Sequence, residues 1–172
     1  HPDLRSLVFQ LTASQGGQDT YEKMWELEKS VTLQEEKVRL HGALASFQDE
    51  YLQKQTLKRS LTSDIRVQDS IRVIVAVSST QKGRALAWEF IRTNWSEIDR
   101  RYGDGGFALM RLVSLVSGFT TTERLKEVSQ FFNDNPTPAA ERTIKQAKER
   151  IELNISWISK YQDEIKDFLG KI

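Results

Sequence analysis

Two histidines, His1 and His41, are the residues of this chain that could ligate a metal or move a proton near neutral pH. A catalytic zinc takes three protein ligands, and its helical form is H-E-x-x-H, two histidines one turn apart with a glutamate as base. Here the histidines stand far apart in the chain and no H-E-x-x-H is present, so they build no metal site. His41 is expected at the surface of a helix or partly packed. The serines have no G-x-S-x-G turn and no histidine placed to serve one, so no nucleophilic triad is formed. Gly103-Asp104-Gly105-Gly106 lacks the preceding strand and the following G-K-[ST] of a phosphate loop, and reads as a helix-to-helix turn. Glu35-Glu36 reads as a solvated helix face. Arg84, Arg92, Arg100, Arg101 and Arg111 are interleaved with Glu89, Glu97, Asp99 and Asp104, which predicts salt bridges across neighbouring helices. No catalytic set and no metal site are expected in this chain.

Composition sets the wider limits. A chain of 172 residues can bury one good core, and a moderate apolar content with 28% charged residues fits amphipathic helices. Basic and acidic residues nearly cancel at a net charge of +1, which argues against a nucleic-acid partner, since that needs a basic face. No apolar run approaches a membrane span, no signal-peptide pattern is seen, and the absence of cysteine points to a cytoplasmic origin. The chain opens His1-Pro2 without methionine and goes straight into a helical stripe of Leu4, Leu7, Val8 and Leu11. That reads as a piece of a longer polypeptide.

The segment from Gly83 to Gly118 organises the rest. Trp88, Ile91, Trp95, Ile98 and Tyr102 recur at steps of three and four, an apolar stripe on one helical face. Asn94 with Glu97 predicts a capping pair, hence two helices with a kink between them. After the glycines, Phe107 to Val116 predicts a helix burying Leu109, Leu112, Val113 and Val116.

Ahead of this segment, a first helix over about residues 3–13 should stop at Gly16-Gly17 in left-handed backbone. Asp19 should cap a second, with Tyr21, Met24, Leu27 and Val31 inward. Thr32 to Glu35 reads as a capping box for a third, with Leu33, Leu40 and Leu44 inward. A fourth should run from Phe47 to Leu61, with Tyr51, Leu57 and Leu61 buried. Val73 to Val77 is β-branched enough for a strand, but no partner strand exists to satisfy its backbone, so a largely buried helix is expected.

Beyond it, Thr120 to Glu123 reads as another capping box, for a helix with Leu125, Val128 and Phe132 inward. Thr137-Pro138 should open the longest helix, through Ile144, Ala147, Ile151, Ile155 and Ile158, with Glu141 paired to Lys145. A separate short helix over about residues 162–169 should close the chain. The predicted architecture is all-α, a superhelical solenoid of antiparallel HEAT- or armadillo-like helix pairs, forming one domain over residues 1–172.

AWEFIRTNWSEIDRRYGDGGFALMRLV, residues 87–113, resembles the signature of the C-terminal domain of puromycin-sensitive aminopeptidase and its relatives. These are zinc aminopeptidases with H-E-x-x-H and G-A-M-E-N motifs. The likeness continues at His1-Pro2-Asp3-Leu4-Arg5, Gln34-Glu35-Glu36-Lys37, Ile65-Arg66-Val67-Gln68-Asp69, Phe131-Phe132, Pro138 to Ile144 and Asn154-Ile155-Ser156-Trp157, nearly the whole chain. The resemblance implies an all-helical superhelix that covers a catalytic domain and encloses a cavity. Both catalytic motifs are missing here, so zinc is expected only in the parent's catalytic domain. The resemblance also puts an aromatic and a polar residue, one turn apart, on the cavity-facing helix. Their matches are Phe107 and Arg111, with Arg142 a further peptide-contact candidate. A ring offers a flat apolar contact and a guanidinium can clasp a carbonyl or carboxylate bidentately. Core filling by Phe107 and an interhelical salt bridge at Arg111 are the plain alternatives.

Two functions follow. One is a non-catalytic domain of a cytoplasmic zinc aminopeptidase that removes N-terminal residues from peptides, limiting access and holding the distal part of the peptide. Its partners would be the parent catalytic domain and peptide substrates, with no nucleic acid and no membrane. The other is an independent helical-repeat scaffold binding a protein on its concave face. An orphaned apolar interface, with self-association through it, is expected of the first.

Overall fold

The computed structural model describes residues 4–104 and 106–170, and among these there is no strand. The all-α expectation holds. The helices gather into two compact units that divide at Asn94. His1 to Asp3 and Gly105 lie outside the described residues, and with them the expected helix start at Asp3 and part of the expected glycine turn.

The first unit holds α1 (Arg5–Gln15), α2 (Gln18–Ser30), α3 (Gln34–Leu44), α4 (Glu50–Ser60), α5 (Val67–Val77) and α6 (Gln81–Thr93). Helix α1 lies against α3, α3 against α5, and α4 against α6. Each of these meets its next-but-one neighbour, the contact pattern of stacked helix pairs. The core joins Ala13, Tyr21, Met24, Trp25, Ala43, Leu44, Phe47, Leu52, Ile65 and Val73. Thr56 Oγ1 donates to the Leu44 carbonyl at 3.2 Å and lies 3.1 Å from the Tyr21 hydroxyl. With the threonine proton used, Tyr21 is the donor, and α2, α3 and α4 are tied through one buried hydroxyl.

Local expectations here fare unevenly. The β-branched run is helix α5, with Ile71, Val73, Ile74 and Val77 buried. The stripe Leu4, Leu7, Val8, Leu11 is exposed, because α1 turns Phe9 and Ala13 to the core instead. Gly16 ends α1 at φ −84° in extended backbone, not in the left-handed region. Helix α2 starts one residue before Asp19, which sits in the first turn where the helix dipole favours a carboxylate. It buries Tyr21, Met24, Trp25 and Glu28, leaving Leu27 exposed and Val31 half-buried. No Thr32 box forms: α3 begins at Gln34 after an extended Leu33, and Arg39 takes Glu35. Leu33 is exposed, as is Tyr51, because Asp49 caps α4 and rotates Leu52 and Leu57 inward.

The second unit holds α7 (Trp95–Tyr102), α8 (Phe107–Ser114), a 3-10 turn at Leu115–Gly118, α9 (Thr122–Asp134), a second 3-10 turn at Pro138–Ala140 and α10 (Glu141–Leu169). A break does fall at Asn94, but its side chain makes no capping bond, and Arg100 and Arg101 hold the Glu97 carboxylate. Trp95 meets Phe131 and Phe132 edge-on, at centroid distances of 5.2 and 6.0 Å. Thr121, one residue later than expected, caps α9 by accepting from the Arg124 N–H. Asn154 of α10 donates to the Ser117 and Phe119 carbonyls at 2.9 and 3.0 Å, fixing the turn after α8. Helix α10 runs unbroken to Leu169, since no glycine or proline interrupts residues 141–169, and the separate closing helix is not found. Glu141 and Lys145 do not pair, and Thr137-Pro138 does not open the longest helix: the proline starts the 3-10 turn, Thr137 makes no capping bond, and α10 begins at Glu141.

Candidate functional site

Helix α8 carries two of the three residues singled out from sequence. Gly106 precedes it at φ +104°, a backbone conformation open to glycine and strained for other residues. The inward face of α8 is Leu109, Leu112 and Val113, all buried, and the helix packs on α10 and on the turn at Pro138–Ala140. Its outward face is Phe107, Met110, Arg111 and Ser114, at i, i+3, i+4 and i+7. Phe107 is 84% exposed, the most exposed of the large apolar side chains among the described residues. It fills no core in this chain. No hydrogen bond or ion pair engages the Arg111 guanidinium among the described residues, so the interhelical bridge is not formed either. Met110, a flexible thioether suited to irregular partners, joins the same face. Sequence reasoning passed over it, although its spacing of three from Phe107 was the signal.

Arg142 is exposed in the first turn of α10, and the elements bearing the three residues are packed neighbours. Close by on α10, a concavity of about 590 Å³ opens between α9 and α10. Phe132, Pro138 and Ile144 give it an apolar floor, and Lys145, Lys148 and Glu149 a charged rim. Nothing in the local sequence pattern announced this groove.

Several of the arginines interleaved with acidic residues have partners within their own helix. Arg92 bonds Glu89, and Arg100 and Arg101 bond Glu97. Hydrogen bonds from Arg100 and then Arg101 pull Glu97 down to about 2, with the smaller cost of burial opposing them.

In the first unit His41 is fully buried, deeper than the surface or partly packed position expected, with Nε2 3.2 Å from Glu28 Oε1. Burial pushes its pKa below the ordinary histidine value, against the pull of Glu28. Glu36 is shared by Arg5 and Arg39; burial raises its pKa, but these two partners outweigh that and hold it below the usual carboxylate range. Among the described residues no three histidine, cysteine or acidic side chains are grouped to hold a metal. The donors present do not fit zinc.

Comparison with known proteins gives this geometry its context. The family model described as the ERAP1-like C-terminal domain matches residues 1–153. The chain belongs to that family. It is 31% identical to human aminopeptidase N over 170 residues, covering 96% of this chain and 18% of that protein. It is 36% identical to the human thyrotropin-releasing hormone-degrading ectoenzyme over 171 residues, covering 98% of this chain and 16% of that protein. Against aminopeptidase M1 of Arabidopsis thaliana it is 31% identical over 167 residues, 95% and 19% of the two chains. As an ERAP1-like C-terminal domain, the chain spans less than a fifth of the length of these relatives.

Proposed function

We propose that the chain is the non-catalytic C-terminal domain of a zinc-dependent aminopeptidase of the puromycin-sensitive type. In that role it encloses the active-site cavity, limits substrate access and contacts the distal part of the peptide. Zinc and its chemistry belong to the upstream catalytic domain, because the residues described here offer no fitting ligand set. The catalytic domain is its intramolecular partner, and the peptides trimmed there are its ligands.

One observation carries the peptide-contact role. An aromatic ring 84% exposed stands one turn ahead of an unengaged guanidinium, on a helix whose opposite face is fully packed. Folding gains nothing from presenting Phe107, Met110 and Arg111 outward, whereas an extended peptide would supply the apolar and carbonyl partners that they lack. Arg142, on the adjoining helix, extends the same contact. A cytoplasmic location rests on the cysteine-free composition. Against it stands the word ectoenzyme in one relative's name, and cell fractionation decides between them.

The test is hydrolysis of an aminoacyl fluorogenic substrate by this chain alone and mixed with the separately made upstream part. The expected outcome is no turnover alone and turnover in the mixture. Zinc-dependent turnover by the chain alone would overturn the assignment.

A further inference from the structure

Away from α8, the first unit buries a charged group that the peptide-contact role does not use. Glu28 on α2 and His41 on α3 are 5% and 3% exposed, and His41 Nε2 lies 3.2 Å from Glu28 Oε1. A carboxylate only accepts, so Nε2 carries the proton and Nδ1 keeps a bare lone pair. Nδ1 is buried and has no hydrogen-bond partner. Lys37 Nζ donates to the same Glu28 oxygen at 3.1 Å and to the Glu28 backbone carbonyl at 2.9 Å. One cation already balances Glu28.

We propose that Glu28, Lys37 and His41 form an acid-sensitive latch that holds α2 on α3 and loosens when His41 takes up a second proton. That proton would place an N–H at Nδ1, where no acceptor waits, and put a second cation beside Lys37. The charged groups facing His41 are Glu28 from α2, Asp69 from α5 and Lys37 from α3 itself. Helix α1, also packed on α3, offers only Arg5, which is engaged by Glu36. Attraction from Glu28 and Asp69 favours the imidazolium, but removal from water outweighs it and lowers the pKa.

The sign follows from that direction. The unfolded chain binds the proton more readily than the folded one, so stability is complete above the unfolded histidine value of about 6.5. It falls as the pH drops from there through the lower folded value, then levels off.

Nuclear magnetic resonance of the His41 ring across pH, with urea unfolding of the wild type and His41→Gln at pH 7.5 and 5.5, tests this. The expected result is titration below about 6.5 and a urea midpoint that falls at pH 5.5 in the wild type but much less in His41→Gln. Titration at or above that value, or an equal fall in both proteins, overturns the latch. Should the variant fail to fold, the ring titration and the wild-type midpoints still decide.

Discussion

Phe107 illustrates how a single side chain can be costly to explain by folding and cheap to explain by binding. Because it is 84% exposed, Phe107→Ala should leave the unfolding free energy from urea titration within about 0.5 kcal/mol of the wild type. In the assembled enzyme the same change, combined with Arg111→Ala, should raise the KM for peptides while sparing a single-residue fluorogenic substrate. Equal loss on both substrates would remove α8 from the peptide path. The sequence singles out these two positions because a family signature runs through them. It did not reveal His41 as a buried group. A histidine on a helix carries no local mark of burial, and its partner Glu28 sits on the preceding helix, so only packing brings the pair together.

At the scale of elements, the positions of breaks were more legible than the chemistry that makes them. The break at Asn94 and the helical fate of Val73 to Val77 both followed from spacing and from the lack of any partner strand. Caps failed where a nearby arginine holds the carboxylate, as at Glu35 and Glu97, and which partner a carboxylate takes depends on rotamers that spacing does not encode. Gly83 makes a sharper test of element packing. A Cβ built there would stand 2.0 Å from the Val77 carbonyl oxygen at the end of α5, and backbone cannot step aside as a side chain can. Alanine in a helix ordinarily gains about 1 kcal/mol over glycine. Gly83→Ala should nevertheless lower the thermal midpoint, by calorimetry. A rise would mean that α6 does not pass so close to the end of α5.

For the molecule as a whole, the most telling surface is the apolar stripe at the start of the chain. Leu4, Leu7, Val8 and Leu11 are each more than half exposed on α1, and Arg5 is the only charged residue of that helix. A neutral apolar face of this kind marks a contact surface. Sedimentation of the chain should therefore show concentration-dependent self-association, abolished by Leu7→Glu with Val8→Lys. A monodisperse monomer at high concentration would count against an orphaned interface. The stripe itself was legible as a helical period. Its direction was not, since a period fixes which residues share a face and leaves open which of two apolar faces turns inward. The next-but-one stacking of α1 on α3, α3 on α5 and α4 on α6 also bears on how the chain acquires its shape. Contacts that join residues close in sequence close short loops, and chains dominated by them fold fast. The first unit can thus assemble progressively during synthesis, each helix docking as it emerges, before the residues beyond Asn94 have been made.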